Sequence, residues 1–171
     1  MVAALEMYFD RAAERRVRRL WDALEDVGVQ TMRGALSGRH RPHVSLISAE
    51  TLDGVAIKQA LVGWKAAPPL NLRFDYIGQF LGRVLWLGPV PDPMLLHHHT
   101  EVHARLDAAG IEGFDMYLPG SWVPHCTLSM RVPHAKLSEA IRVCMDVLPI
   151  HATIVGAAVA DHARELYTPL D

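Results

Sequence analysis

Cysteine is scarce in this chain. There are two in 171 residues, and one of them, Cys126, stands beside a histidine in the segment VPHCTLSM. So few thiols exclude a disulfide scaffold and fit a reducing compartment. A surplus of positive charge is also missing: Lys and Arg number 17 against 19 Asp and Glu, for a net charge of -2. That balance excludes a broad basic face of the kind that holds duplex DNA or an anionic membrane, so any phosphate ligand must be held locally. No apolar run approaches the roughly 20 residues that span a bilayer, and the most apolar segment, 150–160, is interrupted by His151. The amino-terminal MVAALEMYFDR has neither the basic leader nor the apolar core of a secretory signal. The expectation is a cytoplasmic monomer with no membrane partner. Linkers and low-complexity stretches are absent too, and 50% hydrophobic content is enough to build the core of one domain, 1–171.

What is present is an alternation of strand and helix patterns. A strand is predicted over 2–9. A helix over 11–27 follows, with Val17, Leu20, Leu24 and Val27 on one face and Gly28 closing it. The strand RPHVSLI comes next, then a helix over about 52–65 ending before Pro68 and Pro69, and a strand over 70–80. A second pass begins with a strand over 84–87. Pro93 opens a helix whose apolar face is Leu95, His99, Val102 and Leu106, closed by Gly110. VPHCTLSM is a strand, followed by a helix over about 135–147, a strand over 150–159 and a short strand over 165–169. The two passes keep step: 125 minus 43, for the histidines, and 110 minus 28, for the closing glycines, both equal 82. The intervening loops, 29–42 and 111–124, are therefore equally long, and each ends in proline directly before a histidine. Packing alone gives no reason for that agreement. It implies an internal duplication, with halves of about 1–81 and 82–171, whose equivalent histidines share one cleft.

Strand side chains alternate faces, so His43 and Ser45 point one way while Val44 and Leu46 point the other. His125 and Thr127, with Ser129 and Arg131 beyond them, oppose Cys126, Leu128 and Met130 in the same manner. Cys126 thus has its sulfur in the core and is no thiol nucleophile. Two imidazoles with an ordinary pKa near about 6.5 suit acid-base work at neutral pH. Hydroxyls two residues on, about 7 Å along the strand, can donate to a phosphate oxygen held between the strands.

His43-Val44-Ser45-Leu46 and His125-Cys126-Thr127-Leu128 are two copies of a His-x-Ser/Thr-x-hydrophobic signature. Over nearly its whole length the chain resembles the 2H phosphoesterase superfamily, particularly the 2'-5' RNA ligase-like and RNA 2',3'-cyclic phosphodiesterase branch. The resemblance implies an α+β, duplicated bilobal fold: two small, mostly antiparallel sheets around a central cleft with helices outside. It implies His43 and His125 as catalytic acid and base, in an order left open, Ser45 and Thr127 as phosphate-binding residues, and no cofactor. The partner it implies is an RNA end or nucleotide cyclic phosphate, hydrolysed to the 2'-phosphate.

The two equal loops should rim the cleft. The first carries Arg33, Arg39, His40 and Arg41, and the second Phe114, Tyr117 and Trp122. Arg41 for phosphate and Trp122 for stacking a base, each nearest its histidine, are the substrate-binding candidates. His97, His98, His99 and His103 invite a zinc reading, since 99 and 103 share a helical face. No glutamate follows the first histidine directly, however, and His99 lies on the apolar face, so no metal is expected. Three other readings stay open: a 2'-5' RNA ligase using the same residues, a noncatalytic nucleotide- or RNA-binding module, and a metal hydrolase built on 97–103.

Overall fold

The computed structural model describes residues 2–64 and 69–170, apart from the side chains of residues 36 and 37. Strand β1 (Ala3–Phe9) is buried along its whole length. Asp10 ends it and caps helix α1 (Arg11–Asp26), its carboxylate accepting from the N–H groups of Ala12 and Ala13. The helix turns Ala13, Val17, Leu20, Trp21 and Leu24 inward at 3.6-residue spacing. Strand β2 (His43–Ala49) carries the first motif. Helix α2 (Gly54–Ala60) is shorter than the 52–65 pattern predicts, because the Asp53 side chain caps it at 54 and Gly63, at φ 75°, leaves the helical conformation. Lys65 and Pro68, at the end of that pattern, lie outside the described residues.

Strands β3 (Asn71–Phe80) and β4 (Val84–Pro89) form a hairpin, followed by helix α3 (Pro93–Ala108), where Asp92 caps and Pro93 occupies the first turn. Strand β5 (Cys126–Ser129) is half the length of the predicted VPHCTLSM strand. Pro124 has no N–H for a ladder, and the Val123 carbonyl is taken by the His125 ring. Helix α4 (Leu137–Met145) starts late because residues 134–136 form a single 3-10 turn. Strands β6 (Ile150–Asp161) and β7 (Leu166–Pro169) complete the chain.

Among the described residues all strand pairs are antiparallel, in the order β2-β1-β6-β3-β4-β5 with β7 beside β6. The α+β, bilobal class holds. The two expected sheets are joined into one of seven strands because β6 is long enough to serve both lobes: its first residues pair with β3 and its last with β1 and β7. Exchanging β1 with β4, β2 with β5 and β3 with β6 leaves the order unchanged, so each lobe takes its third strand from the other half of the chain. The two ends of that order, β2 and β5, pack against each other, and the sheet therefore curls around the space between the motifs.

Both motif strands carry a bulge at the same point. Leu5 and Glu6 of β1 face Ile47 and Ser45, leaving Leu46 unopposed. Leu85 and Trp86 of β4 face Ser129 and Thr127, leaving Leu128 unopposed. A bulge bends a strand and releases a backbone carbonyl from its ladder. Here it falls one residue past each hydroxyl, so Ser129, expected on the front with Thr127, is fully buried and donates instead to the Gln30 carbonyl.

Candidate active site

The two histidines are held identically. His43 Nδ1 lies 2.8 Å from the Arg41 carbonyl and His125 Nδ1 lies 2.7 Å from the Val123 carbonyl. A carbonyl only accepts, so in each ring Nδ1 carries a proton and Nε2 is the nitrogen reserved for exchange. The prolines at 42 and 124 matter here, since each presents the carbonyl two residues before its histidine. The rings are near enough for the charge of His43 to act on His125. Beneath them Cys126 is buried, and burial pushes its thiol up to about 12, so it is inert at neutral pH.

The surroundings of the two rings differ. Glu6 of β1, only 2% exposed, lies 3.4 Å from His43 Nε2 through Oε1. The same oxygen lies 2.5 Å from His162 Nε2, and the Tyr8 hydroxyl donates to Oε2 at 2.7 Å. Burial alone would raise the Glu6 carboxyl, but His43, His162 and the Tyr8 hydroxyl together hold it below its ordinary value. His162 is raised by its bond to Glu6. His125 instead packs edge-on to Phe80, with ring centroids 4.8 Å apart, and beside Trp86 at 5.9 Å. Burial there lowers its pKa, and the charge of His43 lowers it further.

Ser45 and Thr127 lie on the same strand faces as their histidines. Ser45 is buried beside the side chain of Tyr117, whose own pKa burial raises. Thr127 is half-buried. Arg41, 39% exposed, lies over the Tyr8 ring at 4.2 Å and reaches Glu14 at 3.4 Å. It lines a recess of about 260 Å³ next to Glu6 that also takes in His162 and Tyr167.

Trp122 requires a correction. It is 8% exposed, its Nε1–H donates to the Ser45 carbonyl at 3.0 Å, and its ring stacks on His99 at 3.9 Å with planes 1° apart. Burying a large indole with its N–H satisfied is more favourable than leaving it at the rim, so Trp122 supports β2 from behind. Tyr117, from the same loop, is the aromatic that reaches the site.

The histidine run of α3 has a backbone partner. His99 Nε2 and His103 Nε2 lie 3.2 and 3.0 Å from the carbonyl of Leu46, the residue that the bulge frees. Burial lowers His99 to about 4, so it stays neutral and donates from Nε2. Among the described residues, no three His, Cys, Asp or Glu side chains converge as ligands of a metal would.

Glu6, His162, Phe80 and Trp86 join the site without belonging to either sequence motif. Glu6 alone left a signal, as the one charged residue in the buried strand AALEMYF.

The model of the 2'-5' RNA ligase superfamily matches residues 9–165. Among solved structures, one described as a phosphoesterase superposes with a TM-score of 0.64 at 18% identity, covering 99% of this chain and 94% of that one. LigT from E. coli, solved with 3'-AMP, gives 0.63 at 16% identity with the same coverage. Usb1 from Kluyveromyces marxianus, solved with uridine monophosphate, gives 0.51 at 9% identity, covering 98% of this chain and 97% of that one. The comparison with curated protein sequences finds no match.

Proposed function

The chain belongs to the 2'-5' RNA ligase superfamily, a group of phosphoesterase and ligase enzymes, and on that premise we propose that it opens RNA or nucleoside 2',3'-cyclic phosphates by two-histidine acid-base catalysis. The mirrored hydrogen bonds of His43 and His125 to the carbonyls of Arg41 and Val123 carry this reading. They present two Nε2 atoms from adjoining strands, which is what in-line displacement at phosphorus needs. One imidazole takes a proton from water as its oxygen attacks phosphorus. The bond from phosphorus to the ribose O3' breaks, the other imidazole protonates that oxygen, and the product is a 2'-phosphate. Hydroxyls at Ser45 and Thr127 donate to the charge that develops on the phosphoryl oxygens, and Arg41, which lines the recess beside Glu6, adds a cation two residues from His43. No metal or cofactor enters the scheme. The substrate class is also favoured by fold relatives that hold mononucleotides, LigT with 3'-AMP and Usb1 with uridine monophosphate.

The test is product analysis on a short RNA ending in a 2',3'-cyclic phosphate, with chelator present, for wild type, His43→Ala and His125→Ala. The expected result is opening to the 2'-phosphate, with kcat/KM reduced about 10²- to 10⁴-fold in each variant. Unchanged turnover in either variant contradicts the reading. The family's description favours a second reading, 2'-5' ligation by the same groups run in reverse. Joining of tRNA halves with no net hydrolysis would select it, and nucleotide binding with no turnover would select a binding module.

A further inference from the structure

The two bulges put non-equivalent residues in equivalent places. Opposite the first hydroxyl, Ser45, stands Glu6; opposite the second, Thr127, stands Trp86. His162 and Phe80 are likewise related, since 162 minus 80 is 82, the offset between the histidines. Each of this second pair packs on its own motif histidine, His162 on His43 with centroids 6.4 Å apart and Phe80 on His125. One half of the site therefore holds a carboxylate and an imidazole where the other holds an indole and a phenyl ring.

We propose that Glu6 and His162 are the positioning pair that makes His43 the proton donor of the reaction and leaves His125, walled by Trp86 and Phe80, as its base. This rests on the two-histidine reading above and resolves its open point. With Nδ1 protonated in both rings, the donor is the one whose Nε2 also holds a proton, and a carboxylate oxygen 3.4 Å away stabilises that imidazolium. Apolar walls stabilise a neutral ring with an open Nε2 lone pair, which is what a base needs. An unbalanced carboxylate at this distance would also repel the phosphate. His162, 2.5 Å from the same oxygen, takes up part of that charge, while Tyr8 occupies the other oxygen and keeps both imidazoles on Oε1.

The remaining groups facing the cluster do not reverse this sign. His40, 5.1 Å from His43 by centroid, is lowered by burial to about 3 and stays neutral. Tyr8 and Tyr117 are both raised and stay protonated. Arg41 leans on Tyr8 and is matched by Glu14 of α1, and Arg39 at the recess is matched by Glu165 at 2.9 Å. Asp161 of β6 acts on His162 in the same sense as Glu6.

The experiment is a proton NMR titration of the His43 ring in wild type, Glu6→Gln and His162→Gln, with pH profiles of kcat/KM on a nucleoside 2',3'-cyclic phosphate. Glu6→Gln is expected to lower the His43 midpoint by about one pH unit and to move the alkaline limb of the rate profile with it, about a tenfold loss above that limb. His162→Gln is expected to move both in the opposite direction and to raise KM, because the carboxylate then faces the phosphate unbalanced. Opposite shifts are the signature, since damage to packing would not change sign between the two variants. Equal or same-sign shifts overturn the proposal, and so does movement of the acid limb by Glu6→Gln, which would make His43 the base. The titration does not depend on turnover, so the pair is tested even if the cyclic phosphate proves not to be the substrate. Should Glu6→Gln fail to fold, His162→Gln decides the matter: an upward move of both the His43 midpoint and the alkaline limb supports the proposal, and a downward or absent move, or one of the acid limb, overturns it.

Discussion

At the scale of single residues, the site depends on hydrogen bonds that specify which nitrogen or oxygen is left for chemistry. Thr127 tests this most cleanly, because valine keeps its shape and removes only the hydroxyl. Thr127→Val is expected to lower kcat/KM about 10²-fold or more, as loss of a donor to a developing oxyanion does, with the melting temperature within a few degrees of wild type. Ser45→Ala also removes a group from the buried strand beside Tyr117, so it should cost stability as well. Gly78 controls the other wall. A Cβ there would run into the Trp86 ring, which flanks His125. Gly78→Ala is therefore expected to shift Trp86, visible as a change in its fluorescence, and to slow the reaction while His43 keeps its NMR titration midpoint. The histidines, their hydroxyls and their prolines were legible because each motif is local and occurs twice. Glu6 and His162 were not, because their separation of 156 positions is bridged only by a folded sheet.

At the scale of elements, the decisive feature is the bulge that frees the Leu46 carbonyl, which then takes donors from two turns of α3. Removing both donors in His99→Phe/His103→Leu should cost about 1–3 kcal/mol, the penalty for a buried acceptor left without its partners, read from the urea midpoint at constant m-value. The same variant should lower activity through displacement of β2, with no response to added zinc. The loop over 111–124 docks by a similar device. The Phe114 N–H donates to the Ser48 carbonyl at 2.8 Å, and a Cβ on Gly113 would come within 2.9 Å of that carbonyl oxygen. Gly113→Ala should accordingly lower the melting temperature by several degrees. Helix α3 and its buried face follow from periodicity alone. That its histidines serve a strand's carbonyl does not, since an i, i+4 pair reads equally well as a metal site until its neighbour is known.

At the scale of the whole molecule, the sharing of β6 between lobes predicts one cooperative unfolding transition, with tryptophan fluorescence and far-ultraviolet circular dichroism giving coincident urea curves. The fold should also be acid-labile. His40, His98, His99 and His125 all have folded pKa values lowered by burial from an ordinary 6.5. Below 6.5 the unfolded chain binds protons that the folded one refuses, so stability is full above that value and falls as pH drops toward 3–4. The depressed Glu6 carboxyl adds to this below about 4.5. Among the described histidines, His162, raised by Glu6, acts the other way, contributing below 6.5 and losing its contribution as pH rises through its folded value. Four histidines outweigh one, and the urea midpoint at pH 5.0 should lie well below that at pH 7.5. The sequence by itself determined the alternation of elements, the repeat offset and the paired motifs, because burial periodicity, caps and turn residues act over neighbouring positions. The tertiary structure alone decided the joining of the sheets through β6, the withdrawal of Trp122 into the core and the unlike environments of His43 and His125. These depend on which distant strands lie side by side, and the bulges after Ser45 and Thr127 set that register.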